Sequence, residues 1–83
     1  MYTKNEEITI IFIFNNRNVV WYAMDRNCTI ADIFQELNHK FNIKKCMLDI
    51  EQHTFVKPIN LFLKPILRDG IGCDIHVTYT KDE

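Results

Sequence analysis

The densest apolar run of the chain is "ITIIFIF", Ile8 to Phe14, broken only by Thr9. After "NNRN" a second run follows, "VVWYAM" from Val19 to Met24. Successive strand residues point to opposite faces, so a half-buried strand alternates apolar with polar. The first run does not alternate; it is apolar on both faces. Both runs are rich in Ile, Phe, Val, Trp and Tyr, and the asparagine-rich segment between them suits a tight turn, since Asn tolerates positive φ. This pattern predicts a hairpin.

The period changes in "RNCTIADIFQELNHKFN". Ile30, Ile33, Phe34, Leu37 and Phe41 recur at helical spacing and form one apolar stripe. Thr29 is placed as an N-cap with Asp32 three residues on, a shortened capping box. Glu36 and Lys40 are spaced as an i,i+4 pair, and Lys40, Lys44 and Lys45 suit the negative end of the helix dipole.

"CMLDIEQ" alternates again, with Leu48 and Ile50 on one side and Met47, Asp49 and Glu51 on the other, and predicts a third strand. The segment "HTFVKPINLFLKPILRDGIG" carries two "KPI" repeats. Proline cannot donate to a ladder, so at most a short edge strand fits, near Thr54–Lys57 or Asn60–Phe62. The rest reads as a core-covering loop. "DGIG" reads as a turn, and "CDIHVTYT" as a last strand with Ile75, Val77 and Tyr79 on one face. The order is β-β-α-β-β-β, an α+β chain in which one helix stripe and one sheet face bury each other.

Eighty-three residues fit one domain, residues 1–83, with a core over about 8–79 and short polar termini. Hydrophobic content of 47% and charged content of 25% exclude a disordered chain. A formal net charge of -1 with scattered basic residues gives no argument for nucleic acid or an anionic membrane. Trp21 and Tyr22 beside Arg17 have the types that stack on single strands, and the charge weighs against that use. The three cysteines, Cys28, Cys46 and Cys73, make no disulfide framework and fit a reducing compartment. The opening "MYTKNEE" is unlike a signal peptide, and no apolar run approaches membrane-spanning length. A soluble, intracellular protein, cytoplasmic or nuclear, is expected.

The spacing and pattern of Ile10 and Phe12, the four-residue turn, Val20, Tyr22 and Met24, Thr29-Ile30, Ile33 and Leu37, and "DIHVTY" together resemble a ubiquitin-like β-grasp domain. The resemblance runs from about Ile8 to Tyr79. It implies one helix on a mixed four- to five-stranded sheet, with the first strand central and next to the last. Conjugated members end in Gly-Gly, whereas this chain ends "TYTKDE"; a non-conjugated member is expected. Ubiquitin's main recognition patch centres on an outward apolar residue of the third strand. Here Met47, Asp49 and Glu51 hold those places, so ordinary ubiquitin readers are not expected to bind.

With Ile8, Ile10, Phe12 and Phe14 toward the helix, the opposite sheet face carries Ile11, Ile13, Val19, Trp21 and Ala23, extended by His76 and Thr78. Nothing in the sequence obviously covers it, unless the register is rotated or the proline-containing segment folds over it. An apolar area of this kind with a Trp anchor marks an interface. The expected function is a protein-interaction adaptor docking through this face onto a larger protein or complex, or self-associating. Two alternatives remain open. One is a small accessory subunit of a multicomponent enzyme. The other is a Ras-binding-type GTPase effector, for which Arg17 and Arg26 flank the second strand. No small-molecule substrate is expected.

Chemistry of its own is not expected either. Cys73 and His76 form C-x-x-H, which Cys46 and His53 could extend to a zinc-type set. Strand positions three apart face opposite sides, so Cys73 and His76 converge only if Cys73 sits in the turn. His39 lies opposite Ile30 on the helix, and no Cys-His pair has an orienting third group. Catalytic residues, metals and cofactors are expected to be absent.

Overall fold

The computed structural model describes residues 7–68, 70 and 72–80. Five strands and one helix follow one another as β1 (Glu7–Phe14), β2 (Val19–Asp25), α1 (Ile30–Phe41), β3 (Cys46–Ile50), β4 (His53–Phe55) and β5 (Gly72–Tyr79). They form one mixed sheet in the order β2-β1-β5-β3-β4. β1 is antiparallel to β2 and parallel to β5, and β3 is antiparallel to both of its neighbours. This is the ubiquitin-like β-grasp arrangement, with α1 laid across one face.

The apolar periodicity is realised residue by residue. Ile8, Ile10, Phe12 and Phe14 of β1, Leu48 and Ile50 of β3, and Ile75 and Val77 of β5 are buried against Ile30, Ile33 and Leu37 of α1. Phe34 and Phe41 flank that stripe half-buried. At one end of the core the rings of Phe12, Phe14, Tyr22, Phe41 and Tyr79 pack edge-on or tilted, with centroids 5.4–6.1 Å apart. Such offset geometries are those that aromatic quadrupoles favour.

Both ends of α1 are closed by specific bonds. Thr29 Oγ1 accepts from the Asp32 N–H at 3.2 Å, and Asp32 Oδ2 accepts from the Thr29 N–H at 2.9 Å, completing the capping box. At the other end Asn42 is left-handed (φ 59°). Its N–H donates to Asn38 O at 3.1 Å, and the Ile43 N–H reaches Leu37 O at 3.1 Å. The 5→1 bond from a left-handed residue is an αL stop, with buried Ile43 beyond it.

The proline-containing segment satisfies the rest of the helix N-terminus. The Ile30 N–H donates to Leu61 O (2.8 Å) and the Ala31 N–H to Ile59 O (2.9 Å), while Leu63 N–H returns to Cys28 O (3.0 Å). Those two helix donors have no partner within the helix. The segment also inserts Leu63 and Leu67 into the core, the second "KPI" forming a 3-10 turn at Lys64–Ile66. It therefore covers the end of the core and does not cross the opposite sheet face.

Several expectations are corrected in detail. The positive φ of the first turn falls on Arg17 (77°) and not on an asparagine. Phe14 N–H donates to Asn18 O and Arg17 N–H to Phe14 O, the three-residue hairpin loop whose last residue is left-handed. The asparagines instead serve through side chains: Asn15 Nδ2 donates to Tyr79 O at 3.1 Å, and Asn16 Oδ1 accepts from Asn18 N–H at 3.1 Å. Glu51 is not an outward strand residue; it sits in the β3–β4 turn with φ 56°. The short edge strand is His53–Phe55, and Phe62 makes only an isolated bridge to Thr29. Glu36, spaced to pair with Lys40, accepts the Tyr22 hydroxyl. Of the "DGIG" turn, Asp69 and Ile71 lie outside the described residues, as do Met1–Glu6 and Lys81–Glu83 of the two termini. Gly72 begins β5 where a Cβ would stand 2.8 Å from Thr9 O, so a side chain there would push β5 off β1.

Two stability changes are expected in chemical denaturation. Leu37→Ala loses about 2–5 kcal/mol, as fully buried large-to-small changes do, and half-buried Phe34→Ala loses less. Arg17→Gly gains about 0.5–1 kcal/mol by relieving the left-handed backbone of a non-glycine residue.

Candidate functional site

The face of the sheet away from α1 has its composition imposed by the registers. Across β2, β1 and β5, Val19 pairs with Ile13 and Ile13 with His76; Trp21 pairs with Ile11 and Ile11 with Asp74. The first row continues through Asp49 of β3 to Thr54 of β4. The face is thus graded, apolar on β2 and β1 and, Met47 aside, polar from β5 outward. Trp21 is 71% exposed and Val19 53%, while Ile11 and Ile13 between them and β5 are half-buried.

All seven residues singled out from the sequence lie on this face: Ile11, Ile13, Val19, Trp21, Ala23, His76 and Thr78. Ala23, His76 and Thr78 are exposed, and Met47, paired with Thr78, is 37% exposed. Asp49 is half-buried and accepts from Thr54 Oγ1 at 2.7 Å, so the far side of the face is occupied by a satisfied polar pair. Three further exposed apolar residues were not singled out: Val56, Leu61 and Phe62 on the proline-containing segment. The signal for them was weak, because the same segment supplies Leu63 and Leu67 to the core and has no periodicity that tells the two sets apart.

On the helix side a cleft of about 330 Å³ opens between β2 and α1, lined by Tyr22, Met24, Cys28, Asp32, Gln35 and Glu36 among others. The Tyr22 hydroxyl donates to the Glu36 carboxylate across it and ties β2 to the middle of α1. That hydrogen bond, then burial, then the charge of Glu36 push the Tyr22 hydroxyl up to about 12. Burial, with Asp32 and Asp25 adding negative charge, pushes the Cys28 thiol up to about 11. Burial pushes Cys46 up to about 11 as well. Both thiols are therefore protonated at neutral pH and poor nucleophiles.

Cys73 lies within β5, paired with Ile10 on the helix-facing side, and His76 points from the other side. The C-x-x-H pair does not converge. Among the described residues no three His, Cys, Asp or Glu side chains gather in a way that could hold a metal ion. Nor is any described helix long and apolar enough to cross a membrane.

Solved structures resemble this one in fold. A protein designed de novo on the basis of ubiquitin superposes with a TM-score of 0.68 at 9% identity, over 94% of this chain and 94% of the other. The C-terminal ubiquitin-like domain of human 2'-5'-oligoadenylate synthetase-like protein gives 0.61 at 14% identity, over 100% of this chain and 94% of that one. The fold is ubiquitin-like. No family model matches the chain, and no curated protein matches it by sequence.

The thiols set a pH dependence. An ordinary thiol ionises near 9, as these do once unfolded, whereas in the folded chain they hold their protons to about 11. Their contribution is complete below pH 9 and is lost as pH rises from about 9 through 11. In that window the unfolded state binds fewer protons, so stability falls with pH. Urea unfolding across this window should show a downward slope that Cys28→Ala makes shallower. A slope unchanged by replacing both cysteines would contradict the assignment.

Proposed function

We propose that this chain is a protein-interaction module, an adaptor of ubiquitin-like fold that docks onto a larger protein through its open sheet face and catalyses no reaction itself. The observation that carries this reading is the exposure of Trp21 beside Val19, Ile11 and Ile13 on the sheet face away from α1. Large aromatic side chains, Trp above all, are enriched among the residues that supply most of the energy of protein interfaces. The half-buried isoleucines complete the apolar floor, and the polar strip of Asp74, His76, Asp49 and Thr54 forms one rim, the usual anatomy of a docking site. The thiols without a disulfide framework fit a reducing, intracellular setting.

The gradient also sets a specificity. A partner that reads the third strand meets Met47 and Asp49, whereas one that reads β1 and β2 meets the aromatic anchor. The surface used here is accordingly displaced toward the β2 edge.

The test compares partner capture by the wild type, Ile13→Lys on the open face, and Asn38→Lys on the exposed side of α1. Ile13→Lys should keep the thermal midpoint within a few degrees and lose the captured protein, while Asn38→Lys should keep both. Capture that survives Ile13→Lys and fails with Asn38→Lys would move the site to the helix and overturn the reading.

A further inference from the structure

We propose that the outer edge of β2 pairs with the β2 edge of a second copy of this chain, antiparallel and two-fold symmetric about Trp21. The inference stands on the strand edge and shares with the docking reading only the side chain of Trp21. The Phe14 N–H to Asn18 O bond of 2.9 Å marks these two residues as a hydrogen-bonded pair at the start of the hairpin. Bonded and non-bonded pairs alternate along an antiparallel ladder. In the observed register Val20, Tyr22 and Met24 therefore bond to β1, and the N–H and C=O groups of Val19, Trp21 and Ala23 point away from it. The next carbonyl in that series, Asp25 O, accepts from Cys28 N–H at 3.1 Å, which ends the free edge. Among the described residues no strand pairs with this edge.

Sheet edges are ordinarily protected by shortness, lysine, proline or a bulge. The opposite edge, β4, has three residues and is followed closely by Lys57 and Pro58. β2 has seven residues, "VVWYAMD", and carries none of these devices. It is also self-complementary. A two-fold axis at Trp21 sets Trp21 against Trp21 of the second copy and Val19 against its Ala23, all three positions exchanging backbone hydrogen bonds. The side chains of these residues lie on one face, so a small residue meets a larger one and the two indoles pack together.

The same register brings Arg17 opposite Asp25 of the second copy at both ends. Asp25 stands directly across from Glu7 in its own sheet, so two carboxylates face each other where the cation would arrive. Centring the axis on Val19 would instead set Trp21 against Arg17. Centring it on Ala23 would set Trp21 against Asp25. One strand pairing buries less than a standard stable interface, so the association is weak and concentration-dependent. The product is a continuous ten-stranded sheet, two copies of the observed five, whose open faces remain on one side.

The experiment is sedimentation of the full chain from micromolar to millimolar concentration. The wild type should move from monomer to dimer mass. Ala23→Pro removes an N–H that β1 does not use, which a folded monomer tolerates, and should raise the dissociation constant at least about tenfold. Arg17→Glu should weaken the dimer, and adding Asp25→Lys should restore it. A wild type that stays monomeric throughout overturns the proposal. So does a dimer that Ala23→Pro leaves intact, or one that Ile13→Lys alone abolishes, which would be a face-to-face contact. If Ala23→Pro fails to fold, the charge pair decides: weakening by Arg17→Glu without rescue by Asp25→Lys refutes it. Ile13→Lys should retain the edge dimer, which separates this inference from the docking reading.

Discussion

The two-residue period of β1 is the constraint on which the structure depends. The strand lies between β2 and β5, and its helix-facing set of Ile8, Ile10, Phe12 and Phe14 forms the middle of the core. Burying each such side chain contributes about 1.5–3 kcal/mol. A one-residue slip would exchange the four for Glu7, Thr9, Ile11 and Ile13, so the register is strongly fixed. Fixing it also fixes the other face. Ile11 and Ile13 are carried outward by the same bonds that hold their neighbours in, and β2 adds Val19 and Trp21 beside them. The single helix is spent on one side of the sheet, and the described part of the chain supplies no layer for the other.

The helix owes its position to its ends as much as to its stripe. The Thr29–Asp32 box, the Asn42 stop and the carbonyls of Ile59 and Leu61 leave few of its terminal groups to solvent. The last of these couples two distant parts of the chain. A segment with two prolines cannot offer a regular ladder, but its carbonyls remain available as acceptors. It uses them on the helix N-terminus and buries Leu63 and Leu67 in the same movement. That is why the segment closes the end of the core and leaves the sheet face alone.

Much of this was legible in the sequence because it follows from period. The stripe of α1, its capping box, the alternation of β3 and the burial of Ile75 and Val77 are local patterns with one physical solution. The outward set from Ile11 to Thr78 followed once the first strand was placed next to the last, a step taken from resemblance to ubiquitin-like domains and met by the β1–β5 pairing. What was not legible depended on backbone geometry. Arg17 takes a conformation its side chain disfavours because the loop has three residues. Glu51 turns left-handed because β3 stops at Ile50. The free groups of the β2 edge appear only when the hairpin register is known, since residue type does not say which amides face outward.

The open face and the open edge meet at one residue, and Trp21 is the sole tryptophan in the chain. Its fluorescence reports whether the register turns this side chain out of the core into solvent. Dilute protein should show red-shifted emission, quenched by acrylamide nearly as efficiently as free indole. Blue-shifted emission shielded from acrylamide at the same dilution would mean that this face is covered and that Trp21 is not the open anchor.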